Sequence, residues 1–101
     1  MRANRTELAG VLQERGALRH TPAGIPVVEF QLGHDSEQIE AGILRRVSCE
    51  IACVALGPTA LLIKDAPPGS EMRVSGFLAA RSLKRKTPVL HVTQVEFVEK
   101  S

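Results

Sequence analysis

Within the six positions Arg81-Ser82-Leu83-Lys84-Arg85-Lys86 the chain places four cations, and from Met72 to Val95 it carries five basic residues without one acid. Charge of one sign packed this closely attracts a polyanion. Arg and Lys also bind phosphate oxygens directly, Arg as a planar fork and Lys as a point charge. The whole chain has 13 Lys and Arg against 11 Asp and Glu. Without the Met72–Val95 segment the remainder has 8 against 11, so the formal net charge of +2 hides a polarised molecule. Apolar alternation on both sides of the cluster sets these charges on a loop between two strands. A loop of that kind projects from a sheet and can follow a phosphate backbone.

Other residues offer weaker versions of the same chemistry. Arg45 and Arg46 are adjacent, so in a regular strand only one of them can share a given face. Arg46 has the outward parity of Ser48 and would extend the basic track, but Glu50 follows on that face, and an acid on a phosphate path costs affinity. Arg19 and Thr21 flank a turn and offer one charge and one hydroxyl to phosphate oxygens. A plain turn with a surface arginine accounts for them nearly as well.

Catalytic and metal chemistry find no support. Asp35, Glu37 and Glu40 are clustered, yet no nucleophile, His pair or Gly-x-x-x-x-Gly-Lys cradle accompanies them, so the chain reads as a non-enzyme. His20, His34 and His91 stand singly and cannot complete the four ligands of a structural zinc site, so neither metal nor cofactor is expected. If Cys49 and Cys53 share one strand they lie about 13 Å apart, too far for a disulfide, which reads as two reduced, packed thiols.

The elements that must position the basic loop are strands almost throughout. Alternation predicts a first strand at about Arg5–Arg15, with Gly10 at a bulge or close approach, and a second from Pro26 to His34 burying Val28, Phe30 and Leu32. The Thr21-Pro22-Ala23-Gly24 turn joins them. Asp35 to Gly42 is acidic and lacks strand periodicity, which predicts a flexible loop. A third strand follows at about Ile43–Cys53, with Val47, Cys49 and Ile51 facing away from Arg46, Ser48 and Glu50. Thr59–Ala66 fits either two helical turns or a short strand. The fourth strand is Glu71–Arg81, containing Gly76, and the fifth about Val89–Val98. Five strands with one irregular or helical segment between the third and fourth match the count and order of a small Greek-key barrel, the oligonucleotide-binding (OB) fold. A β-sandwich has a comparable strand count, but 101 residues with five strands favour the closed barrel.

Length predicts one domain, residues 1–101, able to bury roughly two thirds of its unfolded surface. With 44% hydrophobic and 24% charged residues it has the composition of a soluble globular protein. No apolar run approaches the roughly 20 residues of a membrane span, and no signal-peptide run follows Met1-Arg2, so a cytoplasmic protein without a membrane partner is expected.

Several segments taken together carry a family resemblance. The run from Arg19 through Thr21-Pro22-Ala23-Gly24 to His34, then Glu40-Ala41-Gly42, Val74–Ala79 and Leu90–Glu96, resembles the primosomal replication protein N family. That family is a branch of the bacterial single-stranded DNA-binding OB-fold proteins. The resemblance covers nearly the whole chain. It implies a homodimer of OB barrels, with the first strand, flanked by Arg2 and Arg5, pairing across the dimer. It also implies binding of single-stranded DNA with little sequence preference, a role in restarting stalled replication forks, and a primosomal helicase and other primosome loading proteins as partners. Typical single-strand-binding proteins continue into a long acidic-tipped tail, whereas this sequence stops at Lys100-Ser101.

One departure bears on mechanism. Base stacking on aromatic rings is worth about 1–3 kcal/mol per base, yet the chain has no Trp, no Tyr and three Phe. Phe30 and Phe97 have core parity, and the parity of Phe77 depends on whether Gly76 marks a bulge. Where some family members carry an exposed tryptophan, this chain has Ser48. Phosphate contacts are therefore expected to carry most of the affinity. A protein-interaction adaptor with secondary DNA affinity is the alternative, and an RNA-binding barrel would use the same surfaces.

Overall fold

The computed structural model describes residues 1–99, so the end of the sequence at Lys100-Ser101 lies outside them. Its elements are β1 (Thr6–Arg15), β2 (Arg19–His20), β3 (Pro26–Glu40), β4 (Ile43–Leu56), α1 (Pro58–Ile63), β5 (Glu71–Ala80) and β6 (Pro88–Phe97). The strands form one sheet in the order β1-β5-β6-β4-β3-β2, and β1 also pairs with β3, which closes a five-stranded barrel with β2 as a short flap. β4 and β6 are parallel over Cys53–Ala55 and Leu90–Val92, and the other pairings are antiparallel.

Closure depends on how β1 divides itself. Its first half, Thr6–Val11, pairs with β5, and from Val11 to Arg15 it pairs with β3. Gly10 sits at the transition, where a Cβ would lie 2.4 Å from the Gly33 carbonyl oxygen, so the two strands approach this closely only with glycine there. The bulge falls just beyond, where the register slips between Leu12 and Glu14.

Alternation fills the interior. Leu12, Val28, Leu32, Met72 and Leu90 are almost completely buried, and Phe30 and Val74 join them. The Thr59–Ala66 segment resolves as the helix α1. Gly57, at φ +69°, turns the chain, Pro58 occupies the first turn where its missing N–H is harmless, and Ala60 and Ile63 drop into the core.

Three expectations are corrected. Asp35–Gly42 is not a flexible loop, because β3 runs unbroken to Glu40 and meets β4 across Ala41-Gly42, both at positive φ. From His34 onward this hairpin has left the barrel and stands as a two-stranded arm seven residue pairs long, about 23 Å. Solvent on both of its faces removes the apolar alternation that marks a half-buried strand. Cys49 lies on this arm and is exposed, whereas Cys53 is packed in the core. Phe97, expected in the core, is 41% exposed at the last residue of β6, where the barrel wall ends.

Candidate nucleic-acid interface

Register places one residue from each of four neighbouring strands in a transverse row on the barrel's outer face: Phe77 of β5, His91 of β6, Val54 of β4 and Glu29 of β3. Inward-facing Leu90 and Val92 force His91 outward between them. The Phe77 and His91 rings stack with centroids 5.0 Å apart and planes within 8°. Gly76 makes this pairing possible, since a Cβ there would lie 1.8 Å from the His91 carbonyl oxygen. Beside the rings the outer face dips into a groove of about 460 Å³ whose walls include Glu14, Arg15, Glu29, Gln31, Arg81 and His91. Arg15 is held there by its Nε–H, which donates to the Ala66 carbonyl at 2.9 Å.

The basic loop is rooted at this groove, whose lining includes Arg81. β5 ends at Ala80 and β6 begins at Pro88, and the Arg81 N–H donates to the Thr87 carbonyl at 3.1 Å to clamp the root. Within the loop the Ser82 N–H donates to the Arg85 carbonyl, and the Arg85 N–H to the Ser82 hydroxyl, both at 3.0 Å. Arg81, Lys84, Arg85 and Lys86 are all exposed, and none forms an ion pair among the described residues. Four cations thus stand in solvent, unpaired among the described residues, on a loop whose root lines the groove.

The other sequence candidates are placed differently. Arg19 lies on β2 and pairs with Glu29 at 3.1 Å, so it reaches the groove wall while offsetting one of the wall's two acids. The Thr21 hydroxyl accepts the Ile25 N–H at 3.1 Å and braces the Thr-Pro-Ala-Gly turn, leaving its own proton to donate. Arg45, Arg46 and Ser48 sit on the arm, away from the groove. From Val54 back to Ser48 is about 20 Å along β4. Arg45 is bound to Glu40 at 2.7 Å. On the opposite face Arg46 is cross-strand partner to Glu37 and Ser48 to Asp35, around a hollow of about 400 Å³. The arm's arginines are thus interleaved with acids, unlike those of the loop.

Phe77 and His91 are the residues that sequence reasoning left without a role. The signal was available, because both lie inside the acid-free segment, but their contact depends on the β5–β6 register, which slips beside Gly76. Elsewhere, burial pushes the Cys53 thiol up to about 12, so it stays protonated and inert, and Lys64 holds the Asp65 carboxyl below its usual range. Among the described residues no cluster of three or more His, Cys, Asp or Glu is placed to hold a metal, and no helix is long and apolar enough to cross a membrane.

A closed five-stranded Greek-key barrel with a capping helix between its third and fourth long strands defines the protein as an OB fold. The chain belongs to the family described as "Another single-strand binding protein family", whose model matches residues 4–94. Replication restart protein PriB of Bordetella pertussis is 50% identical over 91 residues, covering 90% of this chain and 85% of that protein. The crystal structure of PriB from Ralstonia solanacearum superposes with a TM-score of 0.87 at 33% identity, covering 97% of this chain and all of that one. The single-stranded DNA binding protein of Thermus aquaticus shares the fold at a TM-score of 0.76 and 23% identity, over 96% of this chain and 50% of that one.

Proposed function

We propose that this protein binds single-stranded DNA with little sequence preference at the groove of the outer face and the loop above it, and serves the primosome that restarts replication. The observation that carries this reading is the set of four exposed cations, unpaired among the described residues, on a loop whose root at Arg81 lines a groove on the outer face of an OB barrel. Its relatives, named replication restart proteins, support the same setting. Arg81, Lys84, Arg85 and Lys86 neutralise backbone phosphates, while Arg19, tied to the groove wall through Glu29, and Thr21 in the turn next to it add weaker contacts. Arg45, Arg46 and Ser48, set among acids on the arm, contribute least. In this reading the protein works as a cytoplasmic homodimer of single-domain barrels, without catalytic chemistry of its own, and stabilises or stimulates a primosomal helicase.

The test is binding of labelled homopolymer strands and of their duplexes, with size measured with and without the strand. Comparable affinity for different single strands, weaker affinity for duplex and a dimeric mass support the proposal. Failure to bind any single strand at moderate salt would reject it.

A second reading has one observation in its favour. The arm's tip exposes Ile39, Ile43 and Leu44 beside Glu37 and Glu40, a surface better suited to a protein than to a phosphate backbone. In that reading the barrel is an adaptor that docks a partner protein, with DNA affinity secondary. Unwinding assays separate the two. An adaptor stimulates the helicase even when its basic loop is neutralised, and a DNA-delivering protein does not.

A further inference from the structure

From the ring stack on the outer face we infer that His91, backed by Phe77, is the base-stacking platform of the groove, in a chain without tryptophan or tyrosine. The inference rests on the single-strand reading above and says where a base goes within that site.

Three observations converge. First, the rings already form a stack, 5.0 Å between centroids and 8° between planes, so Phe77 covers one face of the imidazole and restricts its rotation. A ring held in place loses less freedom when a base settles on it. Second, His91 lines the groove, and its next neighbour in the transverse row is Val54, a short aliphatic side chain that leaves room above it. Third, the platform belongs to the segment that supplies the loop. Phe77 and Arg81 lie four residues apart on one strand and its extension, about 13 Å, within reach of a nucleotide whose phosphate is held by the loop and whose base turns inward.

The other two phenylalanines do not compete. Phe30 is buried in the core, and Phe97 lies at the far end of β6, six residues from His91. Histidine is a serviceable stacking surface for a splayed base, as are Phe, Tyr and Trp. Stacking tolerates every base because each has a π face, so this contact adds affinity without adding sequence preference.

The experiment compares the native protein with His91→Ala, Phe77→Ala and His91→Phe on a thymine homopolymer and on an abasic strand of equal length, which keeps the phosphates and has no bases. His91→Ala is expected to weaken homopolymer binding at least about fivefold, the low end of one stacked base. Phe77→Ala should fall between it and native, and His91→Phe should restore affinity. On the abasic strand all four should bind alike, with the native salt slope retained. Titrating native protein with the homopolymer should also move the His91 ring proton resonances upfield through the ring current of the base, a readout that needs no variant.

Equal affinities for the homopolymer, or the same loss on both strands, would overturn the stacking role while leaving the single-strand reading intact. A native protein that binds neither strand would instead reject that reading, and the platform with it.

Discussion

Replacing Lys84, Arg85 and Lys86 together by alanine isolates the electrostatic part of binding. Each phosphate neutralised on a single strand contributes about −0.7 to the slope of log affinity against log salt. If each of the loop's four cations neutralises one phosphate, the loop alone gives a slope of about −2.8, and the triple variant keeps about −0.7 from Arg81. Raising salt from 50 to 200 mM would then weaken the native loop contribution about 50-fold, against about threefold for the variant. Other cations near the groove steepen both lines equally, so the difference of about 2.1 in slope is the quantity to measure. Fluorescence anisotropy with a labelled homopolymer at four or five salt concentrations suffices. The side chains are exposed and make no ion pair among the described residues, so the melting temperature should move little. An unchanged slope in a folded variant would show that the loop is only solvated, and would refute the phosphate path drawn through it.

Three further outcomes follow from particular contacts. Alanine at Arg45 and Arg46 together should change homopolymer affinity less than about threefold, because Arg45 is engaged by Glu40 and Arg46 lies opposite Glu37; a loss as large as the loop variant's would put the arm on the DNA path. Gly76→Ala should lower stability by about 2–4 kcal/mol, read as a large drop in melting temperature, since its Cβ would meet the His91 carbonyl at 1.8 Å and push β5 from β6; a native melting curve would contradict the close approach. Cys53 has a folded pKa of about 12 against 9.0 for a free thiol, so its contribution is complete below pH 9 and is lost as pH rises towards 12. At pH 10 denaturant unfolding should show a loss on the order of 1 kcal/mol relative to pH 8, absent from Cys53→Ala, while in the native protein iodoacetamide should modify exposed Cys49 and spare Cys53.

The barrel was legible in the sequence because its strands are buried on one face only. Val28, Phe30 and Leu32 alternate with Glu29 and Gln31, and that period is what a closed sheet imposes. The helix α1 was ambiguous because six residues are too few to display a 3.6-residue period. The arm was misread for the opposite reason. Asp35–Glu40 has water on both faces, so no period is written into it, and its strand conformation is fixed by the ladder to β4 and the tight turn at Ala41-Gly42. At the candidate interface the loop could be read from charge alone, because charge density is a local property. The ring platform could not, since the contact between Phe77 and His91 exists only once two strands 14 positions apart settle into one register.

That difference bears on how the site works. Charge on a loop gathers a polyanion from a distance, but it fixes neither register nor orientation, because every phosphate looks like the next. Orientation has to come from the groove, whose walls are unequal. Arg81, at the root of the loop, lines one side, and Glu14 and Glu29, on the paired strands β1 and β3, line the other, with Glu29 offset by Arg19. A strand laid along the loop side keeps its phosphates clear of those acids and turns its bases across the floor, where His91 and Val54 are. The long acid-free segment therefore has a use beyond excess charge. A carboxylate in the Arg81–Lys86 loop would stand beside the phosphates and one in place of Phe77 or His91 would remove the ring surface, so one acid-free stretch supplies both the attraction and the surface on which bases come to rest.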